Sequence, residues 1–205
     1  DGMVHSINFD NGKANYVNKF VRTEGFLVEQ EMGKSMWAGL MEKPSASSLP
    51  GWGAQGGIKD SSSTDITIHG GAPLSTFYQC GEGYQLNPFT LDTEKKLSWV
   101  PSGGLSAHPK VDLATGELLF FNYSKQAPYL HYGVVDKYQN LKHFIPVELP
   151  GPRLPHDMAF SKNYSILNDL PLFWDQEMLK KGVHATRLHD LPSRFAVIPR
   201  YGNPE

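Results

Sequence analysis

Cysteine is nearly absent from this chain: Cys80 is the single one among 205 residues. One thiol excludes an intrachain disulfide framework and any zinc site built on several cysteines, and it fits a reducing compartment. An excess of one charge is missing too. Nineteen Lys and Arg stand against 21 Asp and Glu, a formal net charge of −2, so the basic surface that holds nucleic acid is not there. No apolar run approaches the roughly 18 to 20 residues of a membrane-spanning helix. The 20 glycines and 15 prolines follow no three-residue period, which excludes a collagen-like chain. There is no Gly-x-Ser-x-Gly elbow, no phosphate-binding loop ending in Lys-Ser or Lys-Thr, and no His-Glu-x-x-His helix. Gly51 to Gly57 is glycine-rich but lacks the Lys-Ser/Thr ending and reads as loop. The N-terminus shows neither an initiator Met nor a signal segment, and a strand pattern is under way by Val4. The chain is therefore expected to be a piece of a longer protein.

What is present is a globular composition, 40% hydrophobic and 20% charged, of a length that permits one domain. Val4–Phe9 and Ala14–Val21 alternate on either side of Asp10-Asn11-Gly12-Lys13, which predicts a hairpin. Glu29–Gly39 predicts a short helix, and the Pro-, Ser- and Gly-rich Met41–Ser63 a long loop. Strand signals then follow at Asp65–His69, Leu74–Tyr78, Tyr84–Leu86, Leu118–Phe121, His131–Val135, Lys142–Val147, Ser165–Leu167 and Phe195–Ile198. Asp175–Lys181 predicts one further helix. The expected class is all-β. Short strands with turns about every eight to twelve residues point to a sandwich, a barrel or a propeller, and no sequence repeat chooses among them.

With one cysteine, a transition-metal site would have to draw on imidazole and carboxylate. Eight histidines are available. His108, in Ser106-Ala107-His108-Pro109-Lys110, and His156, in Leu154-Pro155-His156-Asp157-Met158, both stand at strand edges beside proline. Proline restricts the local backbone and so helps to aim a neighbouring side chain. Such positions suit inward-pointing ligands, and they equally suit histidines that satisfy a buried turn. His131 and His143 alternate with apolar residues and read as cross-strand partners. His69 reads as a polar strand end, and His184 and His189 as surface residues. Asp157 either orients its neighbour or caps a turn.

Several ordered segments carry more than spacing does. They are Asp1–His5 with Asn11–Ala14, Tyr16–Glu24, Ala107–Asp112 with Thr115–Glu117, Pro155–Phe160 with Asn163-Tyr164, Asp169–Leu172, and Arg194–Gly202. Over nearly the whole chain they resemble the carotenoid cleavage oxygenases, the family that also holds the lignostilbene dioxygenases and the retinal pigment epithelium isomerohydrolase. Gln79-Cys80-Gly81-Glu82 looks like the fungal members. The resemblance implies a seven-bladed β-propeller with short helices in its loops and an Fe(II) on its axis, held by four histidines from different blades. Residues 1–205 would then be about three blades, truncated at both ends. His108 matches the first ligand and His156 the second, and the other two would lie beyond Glu205.

Family glutamates accept a hydrogen bond from ligand histidines and so fix the imidazole tautomer. Glu82 is the nearest upstream carboxylate, whereas counting back from Asn87-Pro88 puts Gln79 at the expected position. The stilbene-cleaving branch carries a lysine just before that glutamate, and no lysine occurs between Lys59 and Lys95. The implied activity is therefore a dioxygenase reaction in which O2 splits one C=C bond of a carotenoid or apocarotenoid into two carbonyl products. Cleavage of a stilbene or other phenylpropenoid, or an inactive truncated propeller module, are the alternatives. The implied partners are an apolar polyene and O2, with no nucleic acid. The implied location is the cytoplasm, with peripheral membrane or lipid contact by the full-length protein as a further option. The isolated piece, with half the ligands, is expected to be inactive.

Overall fold

The computed structural model describes residues 1–39, 42–50, 59–175, 177–178, 181, 183 and 185–202. It opens on the expected hairpin, strands β1 (Met3–Asp10) and β2 (Lys13–Phe20). Asn11 and Gly12 connect them with φ of +48° and +76°. An Asn-Gly pair enters that left-handed region readily, and the resulting turn matches the twist of the two strands.

The first helix, α1, runs over Glu24–Met32 rather than Glu29–Gly39. Thr23 sets its start, because the Thr23 hydroxyl accepts from the Phe26 N–H at 3.0 Å. Gly33 sets its end, in the left-handed conformation at φ +65°. Past Gly33 the chain folds back, and Glu29 Oε1 accepts from the Met36 N–H at 2.9 Å. Among the described residues of the expected loop there is one 3₁₀ turn, Pro44–Ala46. Gly51 to Gly57 lies outside the described residues. So does much of the helix expected over Asp175–Lys181, where positions 176, 179 and 180 are not described. Among the described residues no helix is long and apolar enough to cross a membrane.

The rest is antiparallel sheet. Strands β3 (Asp65–His69), β4 (Ala72–Thr76), β5 (Tyr84–Leu86) and β6 (Thr93–Lys96) pair in chain order. Strands β7 (Lys110–Asp112), β8 (Glu117–Tyr123), β9 (Tyr129–Val135) and β10 (Leu141–Glu148) repeat that arrangement. A third sheet begins with β11 (Met158–Phe160) and β12 (Tyr164–Asp169). A separate hairpin, β13 (Leu172–Trp174) and β14 (Thr186–Leu188), intervenes before β15 (Arg194–Pro199) joins β12. A four-stranded meander is the unit of a propeller blade. β7 lies beside both β3 and β11, so the first strands of the three sheets are neighbours. The chain is all-β, about three blades of a propeller.

Sequence pattern explains why the middle sheet holds the others. In β8 every residue from Leu118 to Tyr123 is buried. Leu118 and Phe120 join Leu74, Leu97, Trp99 and Leu105 on the side of the first sheet. Leu119, Phe121 and Tyr123 join Met158, Leu167 and Ile198 on the side of the third. Successive side chains point to opposite faces, so an unbroken apolar run marks a strand covered on both. Strand β6, Thr-Glu-Lys-Lys, carries no such run; it is a charged, largely exposed edge.

His131 and His143 are not cross-strand partners. β10 shifts register between Leu141 and His143, so His143 stands opposite Val134 and His131 opposite Pro146. His131 instead stacks on Phe144 at 5.0 Å. His69 is a buried strand end whose Nε2 meets the Gly116 carbonyl at 3.1 Å. His189 is exposed, and His184 lies outside the described residues.

Asp60 is 2% exposed and accepts from the N–H groups of Ser62 (2.9 Å) and Glu82 (2.7 Å). Burial outweighs those two bonds and raises its carboxyl to about 6. The folded state thus binds this proton more tightly than the unfolded chain does. The stabilisation is complete below the ordinary Asp value near 3.8 and is lost as pH rises through about 6. Asp60→Asn, which does not titrate, is expected to remove this fall, worth up to about 3 kcal/mol. Urea unfolding of both proteins across that pH window measures it, and an unchanged slope in the variant refutes the assignment.

Candidate metal centre

Three residues stand at or just before the first strands of the three sheets. Asp65 opens β3, while His108 and His156 each stand two residues before the first strand of their own sheet, β7 and β11. Because those first strands are neighbours, side chains far apart in sequence meet. His108 Nε2 and His156 Nε2 face each other at 3.2 Å, with ring centroids 4.8 Å apart and the rings edge-on. His108 Nδ1 lies 2.7 Å from Asp65 Oδ2. A carboxylate only accepts, so Nδ1 carries a proton, and Nε2 is the nitrogen turned toward His156.

The backbone before each histidine is fixed. Gly104 sits at φ +83°, where a Cβ would fall 2.3 Å from the Cys80 carbonyl oxygen. Only glycine lets the chain pass there, and Leu105 then exchanges backbone hydrogen bonds with Gly81 at 2.8 and 3.1 Å. The Thr76 hydroxyl donates to the Ala107 carbonyl at 2.6 Å. On the other side, Leu154 N–H donates to the Leu172 carbonyl at 3.0 Å and leads through Pro155 into His156. Asp157 Oδ1 accepts from Met158 N–H at 2.7 Å and pairs with Lys110 at 2.5 Å. Burial works against ionisation of this carboxyl, but the Lys110 ammonium and the Met158 N–H hold it below the usual carboxylate range. Asp157 therefore ties β7 to the strap beside His156 rather than orienting the imidazole.

The other expected residue lies apart. Glu82 pairs with Lys96 at 3.4 Å, away from both histidines. Gln79 is buried, donates to the Tyr78 hydroxyl through Nε2, and leaves Oε1 without a partner among the described residues. The Tyr78 ring stands 6.0 Å from that of His156. Tyr78 also walls a cavity of about 370 Å³ with Trp37, Phe77 and Ala38, flanked by Glu29 and Lys59. Such a cavity, apolar with a few polar groups, suits a small-molecule ligand.

Two cis imidazoles on one ion, with bonds of ~2.1 Å, place their nitrogens ~3.0 Å apart. The observed 3.2 Å fits that spacing, and neutral imidazole suits iron, zinc, copper or nickel. Among the described residues no group of three His, Cys, Asp or Glu side chains converges to hold a metal. Asp65 was missed in the sequence because it reads only as the first residue of an alternating strand. Its signal would have been its place at the start of a first strand, next to the strand that His108 leads into, and this needs the sheet order.

The whole of residues 1–205 matches the retinal pigment epithelial membrane protein family. A carotenoid 9,10(9',10')-cleavage dioxygenase of Pisum sativum is 31% identical over all of this chain and 41% of its own length. An isoeugenol monooxygenase of Pseudomonas nitroreducens is 30% identical, over 98% of this chain and 43% of its own. The lignostilbene dioxygenase of Pseudomonas brassicacearum superposes with a TM-score of 0.85 at 29% identity, covering 99% of this chain and 42% of that one. A cobalt-substituted Synechocystis apocarotenoid oxygenase gives 0.76 at 26% identity, over 98% and 46%. The chain spans less than half the length of these relatives.

Proposed function

This chain belongs to the retinal pigment epithelial membrane protein family, the carotenoid cleavage oxygenases, and on that premise we propose that it forms part of an Fe(II)-dependent dioxygenase. In this reading it supplies about three blades of a longer propeller. His108 and His156 are two of four imidazoles that hold the iron. The observation that carries it is the pair of facing Nε2 atoms, 3.2 Å apart. Iron, when bound, supplies the activation of O2 that lets both oxygen atoms end up in two carbonyl products of one C=C bond. The chain's own residues bind and orient. Asp65 keeps the His108 proton on Nδ1, and Pro155 and Lys110 hold the His156 strap. Tyr78, Phe77 and Trp37 offer an apolar wall along which a conjugated chain can be set against the site.

The proposed substrate is an apolar carotenoid or apocarotenoid. Tyr78 stands just before Gln79, at the position where the stilbene-cleaving branch carries its lysine. A second reading, a stilbene or other phenylpropenoid, is favoured by the superposition on the lignostilbene dioxygenase. The test gives the iron-loaded full-length protein an apocarotenoid and a hydroxystilbene in air. O2-dependent aldehydes from the apocarotenoid are expected. Cleavage of the stilbene alone transfers the assignment to the second reading, and cleavage of neither leaves a non-catalytic module.

A further inference from the structure

We infer that Asp65 is a positioning residue for the metal centre, holding His108 as a ligand from the neighbouring blade. This rests on the proposed role of His108. Asp65 Oδ1 takes the Ile66 N–H at 2.8 Å, which leaves Oδ2 directed at His108 Nδ1 at 2.7 Å. Its partner across the sheet, Thr76, donates to the carbonyl of Ala107, the residue before His108. Ring and backbone of His108 are therefore both referenced to the β3–β4 pair. The Asp65 side chain is 37% exposed, so burial does not compel it to find a partner. Among the described residues no Lys or Arg pairs with it, and His108 is the side chain it meets.

Neither of the other acceptors near the histidines offers a free carboxylate. Asp157 is held by Lys110. Gln79 is an uncharged amide at the place where the family's pattern has a carboxylate. Asp65 thus supplies a carboxylate directly to the His108 ring at this half of the centre. A carboxylate on the far nitrogen of a ligating imidazole fixes its tautomer and orientation and raises its basicity.

The experiment uses the full-length protein and Co(II) as the probe, titrated by visible absorption without substrate. Asp65→Ala is expected to weaken Co(II) binding roughly 10- to 100-fold and to shift the d–d bands without raising their intensity. Asp65→Asn, whose amide oxygen still accepts from Nδ1–H, is expected to fall between Asp65→Ala and wild type. In a His108→Ala background, Asp65→Ala should have no further effect. Thermal unfolding of each variant shows whether the fold is intact. The inference is overturned by a folded Asp65→Ala protein with wild-type affinity and bands. It is also overturned by an intensity rise, which would mark Asp65 as a lost direct ligand, or by an equal loss in the His108→Ala background. Wild-type protein that binds no Co(II) defeats the reading of the histidine pair itself, a separate failure.

Discussion

Replacing His156 with alanine in the full-length protein is expected to weaken metal binding so far that iron is lost on desalting and cleavage stops, and His108→Ala to do the same. The loss should exceed the roughly 10- to 100-fold that removal of an outer partner costs, because a nitrogen donor itself goes. His156 has no role in the core that would confuse the result. It is exposed, and it meets the His108 and Tyr78 rings. The backbone on either side is anchored by groups that remain, Leu154 N–H on Leu172 and Asp157 on Lys110. Stability should therefore stay within about 0.5 kcal/mol, as for other surface substitutions. Iron content after desalting, product formation and thermal unfolding report on the three points. Stoichiometric iron with wild-type turnover in either variant would exclude the pair as ligands.

The largest stability effect is expected at Asp169→Ala. Arg153 Nε donates to Asp169 Oδ1 at 2.6 Å, with both side chains 5–6% exposed. Arg194 donates to the second oxygen, Oδ2, at 2.9 Å through Nε. The Arg153 guanidinium also lies over the Phe173 ring, 3.6 Å from its centroid. Removing the carboxylate leaves a buried guanidinium without its counter-charge, which typically costs about 3–5 kcal/mol. Replacing both partners with apolar residues of similar size is expected to recover most of that, since the desolvation penalty disappears with the charges. Urea unfolding of Asp169→Ala and of Arg153→Met/Asp169→Leu tests the pair, and a double variant no better than the single one refutes the account. The effect should reach the metal centre as well. Arg153 stands three residues before His156, on the strap that the pair pins to β12.

Local chemistry made much of this legible. An Asn-Gly dipeptide was enough for the first hairpin, and Leu118-Leu119-Phe120-Phe121 for a strand, which the structure buries on both faces. His108 and His156 stood out by their proline neighbours and by the segments around them. What sequence could not show was set by register and by chain reversal. Gln79 and Glu82 are three residues apart, but Cys80 turns the chain at φ +63° and Gly83 at φ +70°. That reversal leaves Gln79 inside and sends Glu82 out to Lys96, a difference no count along the chain reveals. The register of the β9–β10 hairpin sets His131 opposite Pro146 and His143 opposite Val134. The first helix moved because Thr23 is a stronger start signal than the Glu, Gln and Met content downstream. Asp65 meets a histidine 43 residues away, and only the sequence of sheets around the shared first strands brings them together.

The meander order also dictates a timetable for synthesis. Residues 65–96 and 110–148 each complete a four-stranded sheet from consecutive hairpins, contacts that are local and quick to form as a chain leaves the ribosome. Asp65, His108 and His156 are distributed one per sheet, so no single sheet contains the pair of facing nitrogens. A nascent chain therefore owns its strands well before it brings the two imidazoles together, and under the proposed ligand assignment metal capture is a late event that reports the docking of one finished blade on the next.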